Sequence, residues 1–263
     1  MIRYFIKRIF TMFVSVAGIL FVVYLLMRGV PGANPYTRGM DHVFTSYLWT
    51  VWLTFLSILV SILVGIPLGI TAAVNHNKPA DHAISVLTFL LYALPPFVLA
   101  IYSILLFSLE LNLLPVLWTN SWKHYIQPVA VLSASGIANL TRMTRSAVLD
   151  VRNRQYIQVL RSKGLPERDI FYKHVLKNIA PTVLTALNNS IVQIFCGTMI
   201  VEAIFVMPGL GSIIINSISG KNTRLILVCV FLLSMTLLTV NLLIDFLSAL
   251  INPKIRAAYS SRK

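Results

Sequence analysis

The chain of 263 residues is unusually apolar: hydrophobic residues make up 57% of it, charged residues only 11%, and the mean hydropathy is +0.80. This composition excludes an ordinary soluble domain and indicates a protein that crosses a membrane several times. The net charge of +14 is spread between apolar blocks and not gathered on one domain face. Membrane lipid is therefore the expected counter-charge, and nucleic acid is not an expected partner.

Five uncharged runs are long enough to cross about 30 Å of hydrocarbon, which needs about 20 helical residues. These runs are Ile9–Met27, Tyr47–Val74, Ala83–Leu109, Asn178–Val201 and Leu225–Ile244. A sixth span, Tyr125–Thr141, is predicted if the arginines that follow it reach the interface by snorkelling. The first run is longer than the apolar core of a signal peptide, and no cleavage-site pattern follows it, so we expect an uncleaved span.

The basic residues predict the orientation of these six spans. An even number of spans places both termini on one side, and 17 of the 22 Lys and Arg residues lie on that side. Because basic residues accumulate in cytoplasmic loops, both termini and the polar stretch Arg152–Pro181 are expected in the cytoplasm. The sequence thus predicts a multi-pass protein of the cell membrane.

Several predicted spans contain residues that disturb helices. Gly65, Pro67 and Gly69 lie in the second span, and Pro95 and Pro96 lie in the third. Kinks are tolerated in membrane helices where neighbouring groups satisfy the freed backbone. Packing geometry and a role in gating are both open.

Polar side chains in the fifth span are candidates for a transport pathway. Asn188, Asn189 and Gln193 lie within one and a half turns, and positions 189 and 193 share a helix face. A stripe that lines a polar pathway is one interpretation. Hydrogen bonding between helices without any pathway is the other.

Other polar positions have simpler expected roles. Glu202 and Asp245 lie near the ends of spans, where we expect them to snorkel to water. Cys196 and Cys229 lie far apart in apolar runs and are expected to be buried thiols. The chain has no G-x-x-x-x-G-K-[ST] phosphate loop, no hydrolase motif and no His spacing typical of metal sites, so neither an enzyme nor a metal site is predicted.

The sequence of the polar stretch Arg152–Pro181 predicts two short helices joined by a sharp turn. Tyr156, Val159 and Leu160 would form the apolar side of the first helix. Gly164 suits a left-handed cap, and Pro166 fits the first turn of the second helix. A solvated basic loop between spans is the alternative.

Four sequence blocks resemble the oligopeptide, dipeptide and nickel branch of ABC importer permeases. They are R-x-x-R-x-x-x-L-D-V at 142–151, R-x-K-G-L at 161–165, K-H-x-L-K-N at 173–178 and V-E-x-I-F-x-x-P-G-L-G at 201–211. The terminal N-P-K-x-R at 252–256 is also similar, with Asn in place of the usual Asp. One departure is the segment after the first span, Val30–Ser46, which is short where family members usually carry a long extracellular segment.

The resemblance implies an all-α membrane protein with six spans and the type I ABC importer permease fold. It implies a coupling helix at Tyr156–Gly164 that docks on an ATPase, and an extracellular motif made of Glu202, Pro208, Gly209 and Gly211. Residues implied to couple to the ATPase are Tyr156, Val159, Leu160, Lys163, Gly164 and Leu165. The expected division is an N-terminal segment, first span and short loop at 1–46, a permease core at 47–250 with a coupling loop at about 142–178, and a cytoplasmic tail at 251–263.

The implied partners are a second permease subunit in a heterodimer, two ATP-binding subunits that hold ATP and Mg²⁺, and an external solute-binding protein. Peptides or nickel chelates are the implied cargo. A self-sufficient secondary transporter or channel is the rival hypothesis, and it would require buried carboxylates at mid-membrane, which the sequence does not show.

Overall fold

A computed structural model describes residues 11, 13–22, 24–25, 42–116, 118–119 and 121–251, and the secondary structure of this part is helical throughout. The helices are α1 (Phe13–Val22), α2 (Val43–Val74), α3 (Pro79–Ala93), α4 (Pro96–Ser103), α5 (Lys123–Arg152), α6 (Gln155–Ser162), α7 (Glu167–Asp169), α8 (Leu176–Ile204), α9 (Leu210–Ser219) and α10 (Thr223–Ile251). Two π-helical segments, Ile104–Glu110 after α4 and Ile170–Val175 between α7 and α8, continue their neighbours without a break.

Three of these helices are long and apolar enough to cross a membrane. They are α2, α10 and the continuous helix Glu167–Ile204, and the broken pair Pro79–Ala93 and Pro96–Glu110 would make a fourth. Helix α5 has 30 residues, about 45 Å at 1.5 Å per residue, which also suffices to cross. Its polar residues make α5 less hydrophobic on average than the other spans. Of the predicted first span, Ile9–Met27, the structure describes residues 11, 13–22 and 24–25. The count of six spans stays a prediction.

The third predicted span is broken and not continuous. Helices α3 and α4 meet at an angle of 99°, with Leu94 in an extended conformation (ψ 125°) between them. Pro95 lacks a backbone N–H and clashes with a helical conformation of the residue before it, so the helix ends there. Ala83–Leu109 is thus a bent pair or a re-entrant element.

The fifth predicted span begins earlier than the hydropathy indicates. The helix runs from Glu167 through Ile204, so the second of the two predicted short helices is the start of this long one. Its first turns carry the basic residues Arg168, Lys173 and Lys177, which are exposed. Charged residues on the exposed face of a helix resemble a loop in a hydropathy profile, which explains the misplaced boundary.

Small residues bring α2 against α5, at the centre of the fold. A Cβ atom added at Gly65 would lie 2.9 Å from Leu140 Cβ, and one at Gly69 would lie 2.6 Å from the Thr141 carbonyl oxygen. Thr141 Oγ1 also donates to the Gly65 carbonyl oxygen at 3.1 Å. The Gly65-x-x-x-Gly69 spacing therefore serves close helix packing. Helix α5 also contacts α8, which packs against α2, α4, α9 and α10 as well.

Candidate functional site

One face of α8 is polar and exposed. Thr182, Thr185, Asn189, Gln193 and Cys196 recur at intervals of three or four residues along it. The opposite face, which includes Ile191, Ile194, Thr198 and Val201, is buried against the core. A membrane helix that turns amide and hydroxyl groups away from its own core needs a wet passage or a polar partner on that side.

The structure separates the three polar residues of the fifth span. Asn189 and Gln193 share the exposed face, as their spacing predicts, whereas Asn188 is half buried. The Asn188 Oδ1 atom has no hydrogen-bond partner among the described residues. Cys196 was expected to be buried, and this expectation is wrong because Cys196 lies on the exposed face one turn beyond Gln193. Cys229 is buried as expected.

A cavity of about 510 Å³ opens at the same face, where the break between α3 and α4 leaves space beside α8. Gln193, Cys196, Ser135, Tyr92 and Phe97 line it. None of its lining residues is charged, so it offers amide, hydroxyl and aromatic groups to a bound molecule. The proline break that disrupts the third predicted span is what creates this space.

The predicted coupling helix is α6, and the turn after it has the predicted geometry. Gly164 has φ +76°, the left-handed conformation that glycine adopts at least cost. The Gly164 N–H donates to the Arg161 carbonyl oxygen at 2.9 Å, and the Leu165 N–H donates to that of Leu160 at 3.3 Å. A Cβ atom at Gly164 would meet nothing within 4 Å, so backbone conformation alone selects glycine here.

The buried side of α6 differs from the predicted apolar face. Ile157, which the sequence analysis did not single out, is fully buried in a cluster with Val148, Val151, Ile170 and Val175. An apolar residue three positions before Leu160 was the signal that could have identified it.

Two of the six predicted coupling residues pack against that same cluster. Leu160 and Leu165 are partly buried against it, so they hold α6 to its own chain. The predicted coupling residues that remain exposed are Tyr156, Val159, Lys163 and Gly164. Leu160 thus contributes to the packing of α6 on its own chain, and its role in coupling stays a prediction.

An ion pair spans the turn between α6 and α7. Arg161 Nε and Nη2 both donate to the Glu167 carboxylate, the latter at 3.3 Å. Hydrogen bonding to Glu167 raises the pKa of Arg161 above its ordinary value. Both side chains are exposed, 38% and 63%, and water screens their attraction.

A second pair anchors the loop between α2 and α3 to α5. Arg145 donates to both oxygens of Asp81, at 2.6 Å and 2.8 Å, and Asp81 is only 1% exposed. The Asn77 N–H donates to the same carboxylate at 3.0 Å, and His76 Nδ1 lies 3.3 Å from it. Arg145, whose side chain is 29% exposed, thus makes a bidentate pair with a buried carboxylate.

Glu202 is buried, at 1% exposure, and does not snorkel to water as predicted. Its Oε2 atom accepts the Gly211 N–H at 2.7 Å. The neighbouring Leu210 N–H donates to Thr50 Oγ1 at 2.8 Å, which ties the segment to α2. The position of Glu202 near a span end therefore did not predict its exposure, because the chain folds back over the carboxylate.

Close packing explains the glycines of this block. A Cβ atom at Gly209 would collide with the Glu202 carboxyl group. One at Gly211 would lie 2.7 Å from the Met199 carbonyl oxygen. Pro208 opens the turn that leads into α9, just after the left-handed Val206 (φ 52°). Glu202, Pro208, Gly209 and Gly211 thus lie together as one folded turn.

Solved ABC transporters share this fold. The inward-facing MetNI methionine ABC transporter superposes with a TM-score of 0.68 at 17% sequence identity, over 82% of this chain and 100% of that one. An amino acid ABC transporter crystallised with histidines gives a TM-score of 0.64 at 16% identity, over 80% and 94% of the two chains. The chain therefore shares its fold with these ABC transporter chains.

The sequence identifies the family. The profile described as "Binding-protein-dependent transport system inner membrane component" matches residues 65–257, and the chain belongs to this family. Proteins named "Glutathione transport system permease protein GsiC", from Escherichia coli (strain K12) and Salmonella typhi, are 33% identical over 216 residues, which is 82% of this chain and 71% of theirs. This chain is accordingly a multi-pass permease subunit of an ABC importer and not an enzyme.

Proposed function

We propose that this chain forms half of a translocation pathway for short peptides, with a second permease subunit forming the other half. The exposed polar face of α8 carries the proposal, because exposed polar side chains on a membrane helix require a polar partner or a wet passage. The relatives named for glutathione, which is itself a small peptide, favour peptide-like cargo over a nickel chelate.

The chemistry of the cavity agrees with this cargo class. Gln193 and Ser135 can both donate and accept hydrogen bonds, as the backbone amides of a peptide require. Tyr92 and Phe97 offer apolar surface for side chains of differing shape. No lining charge would hold the substrate tightly, which suits a passage that has to release its cargo.

The exposed side of α6 is proposed to dock on an ATP-binding subunit. Tyr156, Val159 and Lys163 point away from the core, while Ile157, Leu160 and the Gly164 turn fix the direction of the helix. Two such subunits would bind ATP and Mg²⁺, with both termini of this chain on their side of the membrane. The Glu202 turn would then lie at the opposite face, where an external binding protein delivers cargo.

Uptake by the assembled transporter in proteoliposomes tests the proposal. Labelled glutathione or a dipeptide should enter with its binding protein and ATP, and Gln193→Leu should lower uptake severalfold while the ATP-binding subunits still co-purify. Val192→Leu, on the neighbouring half-buried position, is the matched control. Uptake by the lone chain under an ion gradient would instead favour a secondary transporter, and uptake of a nickel chelate alone would contradict peptide cargo.

A further inference from the structure

A second cavity, of about 410 Å³, lies where α2 ends beside the turn from α6 into α7. Its lining includes Val74, Arg152, Arg161, Glu167, Arg168 and Tyr172. Three guanidinium groups face a single carboxylate, so the cavity has a net charge of about +2. Such a cavity attracts an anion.

The donors of these arginines are only partly used within the chain. Arg161 is paired with Glu167, and Arg152 Nη1 reaches the Ala73 carbonyl oxygen only at 3.4 Å. Arg168 has no hydrogen-bond or ion-pair partner within the described part of the chain. Each guanidinium carries five N–H donors in a planar fork that matches a phosphate group. Arg152 and Arg168 therefore have donors to spare.

The helix that ends at the cavity has an exposed apolar side. The outward side of α2 carries Phe55, Leu59 and Leu63, all exposed, and the helix ends at Val74, which is exposed at the rim of the cavity. Tyr172, 61% exposed, lies at the same rim. Aromatic residues at this level of a membrane protein typically mark the head-group region. An apolar helix side above a basic cavity offers separate surfaces for the acyl chain and the phosphate of a phospholipid.

We propose that this cavity binds the phosphate of an anionic phospholipid from the cytoplasmic leaflet, with an acyl chain along the outward side of α2. Arg152 and Arg168 hold the phosphate oxygens by charge-assisted hydrogen bonds. The cytoplasmic position rests on the orientation in the proposed function. In that leaflet anionic lipids concentrate near basic pockets between helices. The apolar side of α2 favours a lipid over free inorganic phosphate, which would use only the arginines.

Native mass spectrometry of the full-length chain, titrated with phosphatidylglycerol or phosphatidylcholine, tests this site. We expect phosphatidylglycerol to bind more tightly, and Arg168→Gln to weaken its binding about tenfold, as the loss of one charge-assisted contact predicts. Arg168→Lys keeps the charge without the fork and should have an intermediate effect. Arg154→Gln, which removes an exposed arginine outside the cavity, is the matched control and should leave binding unchanged.

Four results would overturn the proposal. One is equal binding of both lipids, and a second is an Arg168→Gln variant with normal thermal stability and an unchanged preference for phosphatidylglycerol. Another is competition by millimolar inorganic phosphate, which would make the occupant a free anion. The last is an Arg168→Gln variant that binds lipid as before but no longer co-purifies with the ATP-binding subunits, which would assign the cavity to that partner. The lipid titration does not depend on peptide uptake, so the two proposals fail separately.

Discussion

Two ion pairs of the same chemistry lie in the cytoplasmic half of the predicted topology, and they differ in burial. Asp81 and Arg145 form a bidentate pair around a carboxylate that is 1% exposed, while Arg161 and Glu167 meet at an exposed turn. Removing one partner of a buried pair leaves an uncompensated charge, whereas an exposed pair contributes at most about 1 kcal/mol. The first pair therefore belongs to the scaffold that holds the loop between α2 and α3, and the second to a surface available for partners.

The largest expected effect tests the buried pair. Arg145→Ala should lower the free energy of unfolding by about 3 kcal/mol, because Asp81 loses its partner while it remains buried. Arg142→Ala is the matched control on the same helix. Arg142 is exposed and stacks over the Tyr92 ring at 4.0 Å, a contact of about 0.5–1 kcal/mol. Thermal unfolding of the two variants in detergent measures the difference, and equal losses would contradict the distinction.

The same contrast separates two apolar residues of α6. Ile157→Ala should cost about 2–3 kcal/mol because it empties part of a packed cluster. Val159 is 52% exposed, so Val159→Ala should change stability by less than about 0.5 kcal/mol.

For ATP hydrolysis in the assembled transporter, we expect the reverse order. Among correctly folded proteins, the change at exposed Val159 should have a larger effect than the change at buried Ile157. There we expect Val159→Ala to weaken the stimulation of hydrolysis by cargo-loaded binding protein. A Val159→Ala variant with full stimulation would mean that the exposed side of α6 does not dock.

Sequence patterns predicted those features of the fold and the site that are local. The Gly164 conformation follows from one residue type at the end of one helix, and the shared face of Asn189 and Gln193 follows from helical spacing alone. Asp81 and Arg145 are 64 positions apart, and nothing in either segment indicates the other. The burial of Glu202 likewise depends on a backbone N–H nine residues later. Long-range pairs of this kind need the fold before they can be recognised.

The glycine that closes over Glu202 extends the comparison to the C-terminal end of α8, which the predicted topology places at the opposite face of the membrane. Gly211→Ala should cost about 2 kcal/mol, since its Cβ atom would press on the Met199 backbone, which cannot move aside freely. Gly220→Ala is the control, because the nearest atom to its Cβ is the Asn216 carbonyl oxygen at 3.3 Å. Similar melting temperatures for the two variants would show that the turn has room to relax.

A smaller effect is expected at the exposed turn itself. Gly164→Ala should cost about 1 kcal/mol, because the left-handed conformation penalises a Cβ atom although no neighbour obstructs it. Gly164→Asn should recover part of this loss, since Asn tolerates positive φ better than Ala. If Asn is no better than Ala in thermal unfolding, the cost does not come from backbone conformation.

The smallest expected effect on stability, and the sharpest test of the comparison, is at the exposed pair. Glu167→Gln should change the free energy of unfolding by less than about 0.5 kcal/mol, because water already screens the attraction to Arg161. The same change removes the only carboxylate among the residues that line the basic cavity, which raises its net charge by one and frees Arg161 donors. Binding of phosphatidylglycerol should therefore become a few times tighter while the melting temperature stays nearly constant. A variant that melts several degrees lower would show that this pair is part of the scaffold, and unchanged lipid affinity would show that Glu167 does not compete for the arginines.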